Sequence, residues 1–257
     1  MRVIRLVHGG LPYFATWEND ETARLWTKAP WEGGAATDRF VPLARTTRLA
    51  PVAPSKIVAV GRNYAAHAKE LGNDVPKEPL LFLKPPSALV SHETQIELPS
   101  DSKQIEHEGE IGIVFRSRLR DADLESARRG IFGVTCVNDV TARDLQRSDV
   151  QFTRAKGFDT FCPVGPWIET DVDLDALSVT CRVNGKTRQH GSVHQMAFPI
   201  TTLIAFVSRV MTIEPGDLLL TGTPEGVGPL EPGDRVEVEI PGVGILANPV
   251  VRRAPRA

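Results

Sequence analysis

HEGEIGIVF, residues 107–115, decides how the rest of the chain is read. EIGIVF (110–115) alternates as a half-buried β-strand does, and a strand's side-chain period of two puts Glu108 and Glu110 on one face. Gly109 between them leaves the other face uncluttered. Two parallel carboxylates repel, and one of them is pushed toward the neutral form unless a cation or water lies between them. The same pair on an edge strand would be no more than a solvated polar face.

Downstream, the strand candidate IFGVTCV (131–137) runs into NDVTARDLQR, which has helical composition. Asp139 stands at that junction, where sites on β-scaffolds are commonly built. Asp is also a good N-cap, but Thr141 is available for that task and leaves Asp139 free. Glu108, Glu110 and Asp139, with no C-x-x-C and no His pair, make an all-oxygen set. Such a set suits Mg²⁺ or Mn²⁺ better than Zn²⁺.

Upstream, KIVAV (56–60) and LLFLK (80–84) are buried-strand candidates. Between them GRNYAAHAKEL (61–71) predicts a short helix with His67 and Glu70 three residues apart, hence neighbours. A carboxylate beside an imidazole makes a general base; the alternative is an inconsequential surface pair. Lys84 and Lys156 are candidates for anion recognition against the background of ordinary surface lysines. The loop TGTPEGVGPLEPGD (221–234) lacks G-K-[ST], so it is no Walker loop, but Thr221 and Thr223 offer hydroxyls.

DADLESARRG (121–130) predicts a helix capped by Asp121 or Asp123 and closed by Gly130. Asn184-Gly185 predicts a tight hairpin. FPITTLIAFVSRVMTI (198–213) has helical apolar spacing and serves either core or interface. Few helices among many strands, without βαβ alternation, argue for an α+β, β-rich fold rather than a Rossmann or TIM fold. Residues 1–53 predict a small N-terminal β-rich cap, ended by Pro51 and Pro54, and residues 54–257 the catalytic domain.

Composition removes other function classes. Thirty Lys and Arg against 32 Asp and Glu, net charge −2, give no polyanion-binding excess, and 6% aromatics offer few base-stacking platforms. No nucleic-acid or membrane partner is expected. Cys136, Cys162 and Cys181 form no disulfide or zinc pattern, and no apolar run reaches the about 18 residues of a spanning helix. With no signal-peptide pattern at the N-terminus, a cytoplasmic location is expected.

VGRNYAAHAKE, LFLKPPSALV, HEGEIGIVF, VNDVTARDLQ, AKGFDTFCPVGPW, VNGKTRQ and LLLTGTPEGVGPLEPGD, in this order over roughly residues 56–250, resemble the fumarylacetoacetate hydrolase family. The resemblance implies a mixed β-roll and a Mg²⁺- or Mn²⁺-dependent site for enolisable 2-oxo acids. It places the metal on Glu108, Glu110 and Asp139, and catalysis on His67, Glu70 and Lys156. Substrate contacts fall on Arg62, Tyr64, Lys84, Arg143, Gln146 and Thr223. It also implies a homodimer, a solution to edge strands that need cover. The founding type has a further early Asp ligand, which has no counterpart beside Asn63; a water would take its position. C–C bond hydrolysis of an acylpyruvate or similar 2,4-diketo acid is the leading expectation. Isomerisation or decarboxylation of an unsaturated 2-oxo dicarboxylate, of the oxaloacetate or 2-hydroxyhepta-2,4-diene-1,7-dioate type, is the first alternative. A non-catalytic organic-acid binder is the second.

Overall fold

The computed structural model describes residues 1–254 and is built from three sheets of twelve, three and five strands among those residues. At the centre of the largest sheet, Gly109–Phe115 pairs antiparallel with Ile131–Asn138, setting Gly109 opposite Asn138 and Ile113 opposite Val134. Its other neighbour is Leu218–Leu220, which in turn runs parallel to Ile57–Gly61, and Leu80–Lys84 closes that edge. Every residue of Gly109–Phe115 is buried, so the strand is covered on both faces. Ile111, Ile113 and Phe115 share one core with Val179, Val238 and Leu203; Val114 belongs to another, with Val137, Ile57 and Leu218. Burying such side chains contributes roughly 1.5–3 kcal/mol each.

The second layer is the five-stranded sheet. Its hairpin, Ser178–Val183 and Lys186–Ser192, turns at Asn184 (φ 52°) and Gly185 (φ 74°), both in the left-handed region that the Asn-Gly pair predicts. Gly109 faces this hairpin: a Cβ there would lie 2.9 Å from Cys181 Cβ. Glycine between the two glutamates thus lets the sheets close together, and the face expected to be uncluttered is occupied by Cys181 and Val238.

Residues 1–53 do not form a detached layer. Arg2–His8 pairs with Cys162–Glu169 through Arg2↔Glu169 and Val3↔Ile168, extending the large sheet. The segment nonetheless has its own apolar cluster of Ile4, Leu6, Ala15, Ala23, Leu25 and Val41.

The helix expected in 121–130 forms as Leu124–Arg129, with Asp123, one of the two expected caps, accepting from Ser126 N at 2.7 Å and Gly130 ending it. Two local expectations are corrected. Thr141 caps nothing: its hydroxyl donates to Asp139 O at 2.8 Å, Thr141–Ala142 is a short strand, and helix Arg143–Ser148 follows without a side-chain cap. The strand through HEGEIGIVF is interrupted at Glu108, between Ile105–His107 and Gly109–Phe115. Asn138 Oδ1 accepts from Glu108 N at 3.0 Å and Glu108 O accepts from Asp139 N at 2.8 Å, so the break is locked to the opposite strand. Helix Ile200–Val210 buries Ile200, Leu203, Ile204 and Val207 inside the chain, which settles those positions as core.

Candidate metal centre and active site

Glu108, Glu110 and Asp139 converge in the fold, and one ligand oxygen from each lies within 4.8 Å of the others. All three are buried, as are the cations around them. Lys156 Nζ donates to Glu108 Oε2 at 2.8 Å and to Asp139 Oδ2 at 2.6 Å. Lys84 Nζ donates to Asp139 Oδ1 at 2.6 Å and to Val140 O at 3.3 Å. Arg143 pairs through Nη2 with Glu108 Oε1 and through Nε with Glu106 Oε2 at 2.8 Å.

Glu110 is different. It accepts from Gly222 N at 2.6 Å and has no cation within salt-bridge distance among the described residues. Four buried carboxylates (Glu106, Glu108, Glu110, Asp139) therefore face three buried cations (Lys84, Lys156, Arg143), leaving one negative charge uncompensated. Burial, then the charges of Asp139 and Glu108, push the Glu110 carboxyl well above the carboxylate range. Burial would raise Glu108 too, but Lys156 and Arg143 outweigh it and hold that carboxyl well below. An uncompensated carboxylate at the meeting point of three oxygen donors is the condition a divalent cation relieves, so the residues fit a hard metal ion.

The triad forms part of the wall of a cavity of about 460 Å³. Of the residues named from sequence, Arg62, His67, Glu70, Arg143, Gln146, Lys156 and Thr223 also line it. Arg62 reaches it from a left-handed backbone (φ 59°) unusual for arginine, held by the buried Asn63 amide, which donates to Thr221 O at 2.8 Å and accepts from Phe198 N at 2.8 Å. His67 Nδ1 lies 3.4 Å from Glu70 Oε2, on helix Ala65–Glu70 as the spacing predicts. Gly226 N donates to both Glu70 oxygens, at 3.1 and 3.2 Å.

Three sequence-based placements differ. Tyr64 is buried without lining the cavity, and its hydroxyl has no hydrogen-bond partner among the described residues. Lys84 is sealed behind Asp139, so its ammonium supports a carboxylate instead of meeting an external anion. The Thr221 hydroxyl donates to Ile111 O at 3.0 Å and is spent on the sheet. Sequence reasoning also missed two members. Glu106 was within reach, since it stands two residues before Glu108 as Glu108 stands before Glu110. Gln189 was not, because it arrives from a hairpin about eighty residues away in sequence.

A family model described as fumarylacetoacetate (FAA) hydrolase C-terminal matches residues 56–251. The chain belongs to the fumarylacetoacetate hydrolase family. A second model, Rv2993c-like N-terminal, matches residues 1–51. Among relatives of this family member, a mitochondrial oxaloacetate decarboxylase of Dictyostelium discoideum is 47% identical over 195 residues, 73% of this chain and 89% of the relative. A mitochondrial oxaloacetate tautomerase of Arabidopsis thaliana is 43% identical over 205 residues, covering 77% and 92%. The solved structure of a 5-carboxymethyl-2-hydroxymuconate delta-isomerase from Mycobacterium smegmatis superposes with a TM-score of 0.91 at 42% identity, covering 98% of this chain and all of that one. No described helix of this family member is long and apolar enough to cross a membrane.

One test bears on the loop that carries Thr223. Gly226 has φ 95°, and a Cβ there would stand 2.0 Å from Arg188 O. Gly226→Ala is expected to cost about 1–3 kcal/mol, measured by urea denaturation, and to lower activity by displacing the N–H that holds Glu70.

Proposed function

We propose that this enzyme moves a proton at the carbon next to the 2-oxo group of a small 2-oxo dicarboxylate, interconverting keto and enol forms or releasing CO₂. Oxaloacetate is the model substrate. The observation that carries this is the buried acidic triad with its one unmatched charge, opening on a cavity that also presents His67, Lys156 and Arg62. The names of the relatives above support it over C–C hydrolysis, the leading expectation from sequence.

Mg²⁺ or Mn²⁺, held by Glu108, Glu110 and Asp139, would supply Lewis-acid polarisation of a 2-oxo carbonyl. The chain's own residues do the rest. Lys156 adds positive charge beside the oxygen on which negative charge develops as the adjacent carbon loses its proton. His67, oriented through Nδ1 by Glu70, takes and returns that proton through Nε2. Arg62 offers a guanidinium to a substrate carboxylate. Lys84 and Arg143 hold Asp139 and Glu108 in place.

The test is the decay of enol-oxaloacetate absorbance, together with pyruvate formation, at fixed Mg²⁺ and after chelation. His67→Ala is expected to slow the proton transfer by roughly 10²–10⁴-fold. Metal binding with acceleration of neither reaction would leave an organic-acid binder. The His67–Glu70 pair also favours a second reading, water activation for acylpyruvate cleavage; wild-type cleavage at a rate comparable to oxaloacetate turnover would support it. We further propose a homodimer with one site per subunit, which a monomer by light scattering at micromolar concentration would exclude.

A further inference from the structure

Among the described residues, Arg62, Arg143, Arg147 and Lys156 bring positive charge to the cavity wall. Arg143 and Lys156 are spent on Glu106, Glu108 and Asp139. Arg62 and Arg147 have no carboxylate within salt-bridge distance among the described residues, so theirs is the charge left for a ligand.

Arg147 stands four residues after Arg143 on helix Arg143–Ser148, about 6 Å further along the axis, and is exposed where it lines the cavity. Its Nη1 donates to Gln104 Oε1 at 3.1 Å, and Gln104 Nε2 donates to Glu106 Oε1 at 2.6 Å. A guanidinium only donates and a carboxylate only accepts, so both contacts require the same orientation of the Gln104 amide. Gln104 O also accepts from Arg143 N at 2.7 Å, which ties this strut to the start of the helix. A neutral amide orients the guanidinium without cancelling its charge. Arg154 shows the opposite arrangement: Asp149 takes its Nε and Nη2 at 2.7 and 2.6 Å.

We propose that Arg147 is a specificity-determining residue that recognises the substrate carboxylate lying away from the acidic triad, with Gln104 as its positioning residue. This rests on the proposed function and deepens it, because it names the side chain that tells a 2-oxo dicarboxylate from a 2-oxo monocarboxylate. Arg143 reaches Glu108 of the triad, and Arg147 is one helical turn beyond it. Arg62, which precedes the helix of His67, is left to the carboxylate at the reacting end.

Malate and 2-hydroxybutyrate serve as probes. They share a 2-hydroxy acid head and a four-carbon chain, and differ in ending in a carboxylate or a methyl group. Neither has a 2-oxo group to react, so binding is titrated by calorimetry with Mg²⁺ present at fixed ionic strength. Wild-type protein is expected to hold malate more tightly. Arg147→Met should reduce the malate-to-2-hydroxybutyrate affinity ratio about fivefold, the upper range for an exposed ion pair, with 2-hydroxybutyrate itself changed by less than about twofold. Arg147→Lys keeps part of the preference, because it keeps the charge and loses the planar fork. Gln104→Leu lowers the ratio by a smaller factor and has no further effect in an Arg147→Met background. A merely structural role for Gln104 would weaken both ligands together and in either background. Arg62→Met should weaken both ligands alike. Wild-type protein that binds the two equally, or does not bind malate, overturns the inference, as does a ratio that survives Arg147→Met or collapses in Arg62→Met instead. Failure of oxaloacetate turnover alone would sink the proposed function while the ratio still decides the role of Arg147.

Discussion

Glu110→Gln is expected to abolish measurable turnover and to weaken Mg²⁺ by more than the roughly 10–100-fold that losing an outer partner costs a metal site. In chelated protein the same change stabilises the fold, on the order of 1–3 kcal/mol, because it removes a buried carboxylate that no cation matches among the described residues. The pH dependence has a definite sign. Glu110 holds its proton more tightly folded than unfolded, so in chelated wild type its contribution to stability is lost as pH rises above the ordinary value of 4.5 toward its raised folded value. Glu108 acts oppositely: its contribution is present above 4.5 and is lost as pH falls below it. Glu110→Gln should flatten the first slope and leave the second. Thermal melts with chelator and with Mg²⁺ across that range check both; a variant less stable than wild type in chelator would show that Glu110 is already compensated without metal.

Lys84→Met should be the most damaging single change to stability outside the cavity. It leaves Asp139 buried with only Lys156 to match a charge that both lysines now contact. Breaking one side of such a pair costs about 3–5 kcal/mol, and Mg²⁺ should restore part of it by supplying positive charge to the same carboxylate. Lys156→Met, by contrast, removes an ammonium that faces the cavity, so metal should not restore its activity. Chemical denaturation with and without Mg²⁺ separates the two. Lys84→Met with wild-type stability would mean that Asp139 draws its compensation from elsewhere.

How much of this was legible in the sequence depends on how far apart the interacting groups lie. Glu108 and Glu110, two apart, and His67 and Glu70, three apart, are neighbours in sequence, and the structure keeps both pairs together even though the strand breaks at Glu108. The Asn184-Gly185 turn, the Asp123 cap and the core face of 200–210 are local in the same sense. The ordered run of motifs placed Asp139 and Lys156 beside the glutamates, which spacing alone does not do.

Tertiary structure decided the polarity of the site. Whether Lys84 meets a ligand or a buried Asp and whether the Thr221 hydroxyl is free both depend on groups far away in the chain, 55 residues off for Lys84 and 110 for Thr221. The pairing of Val3 with Ile168, which joins the N-terminal β-rich segment to the large sheet, is likewise not a local property of the sequence. A sequence states which residues can donate, accept or carry charge. It does not state which of those capacities the packing uses up, and what a site offers its ligand is the remainder.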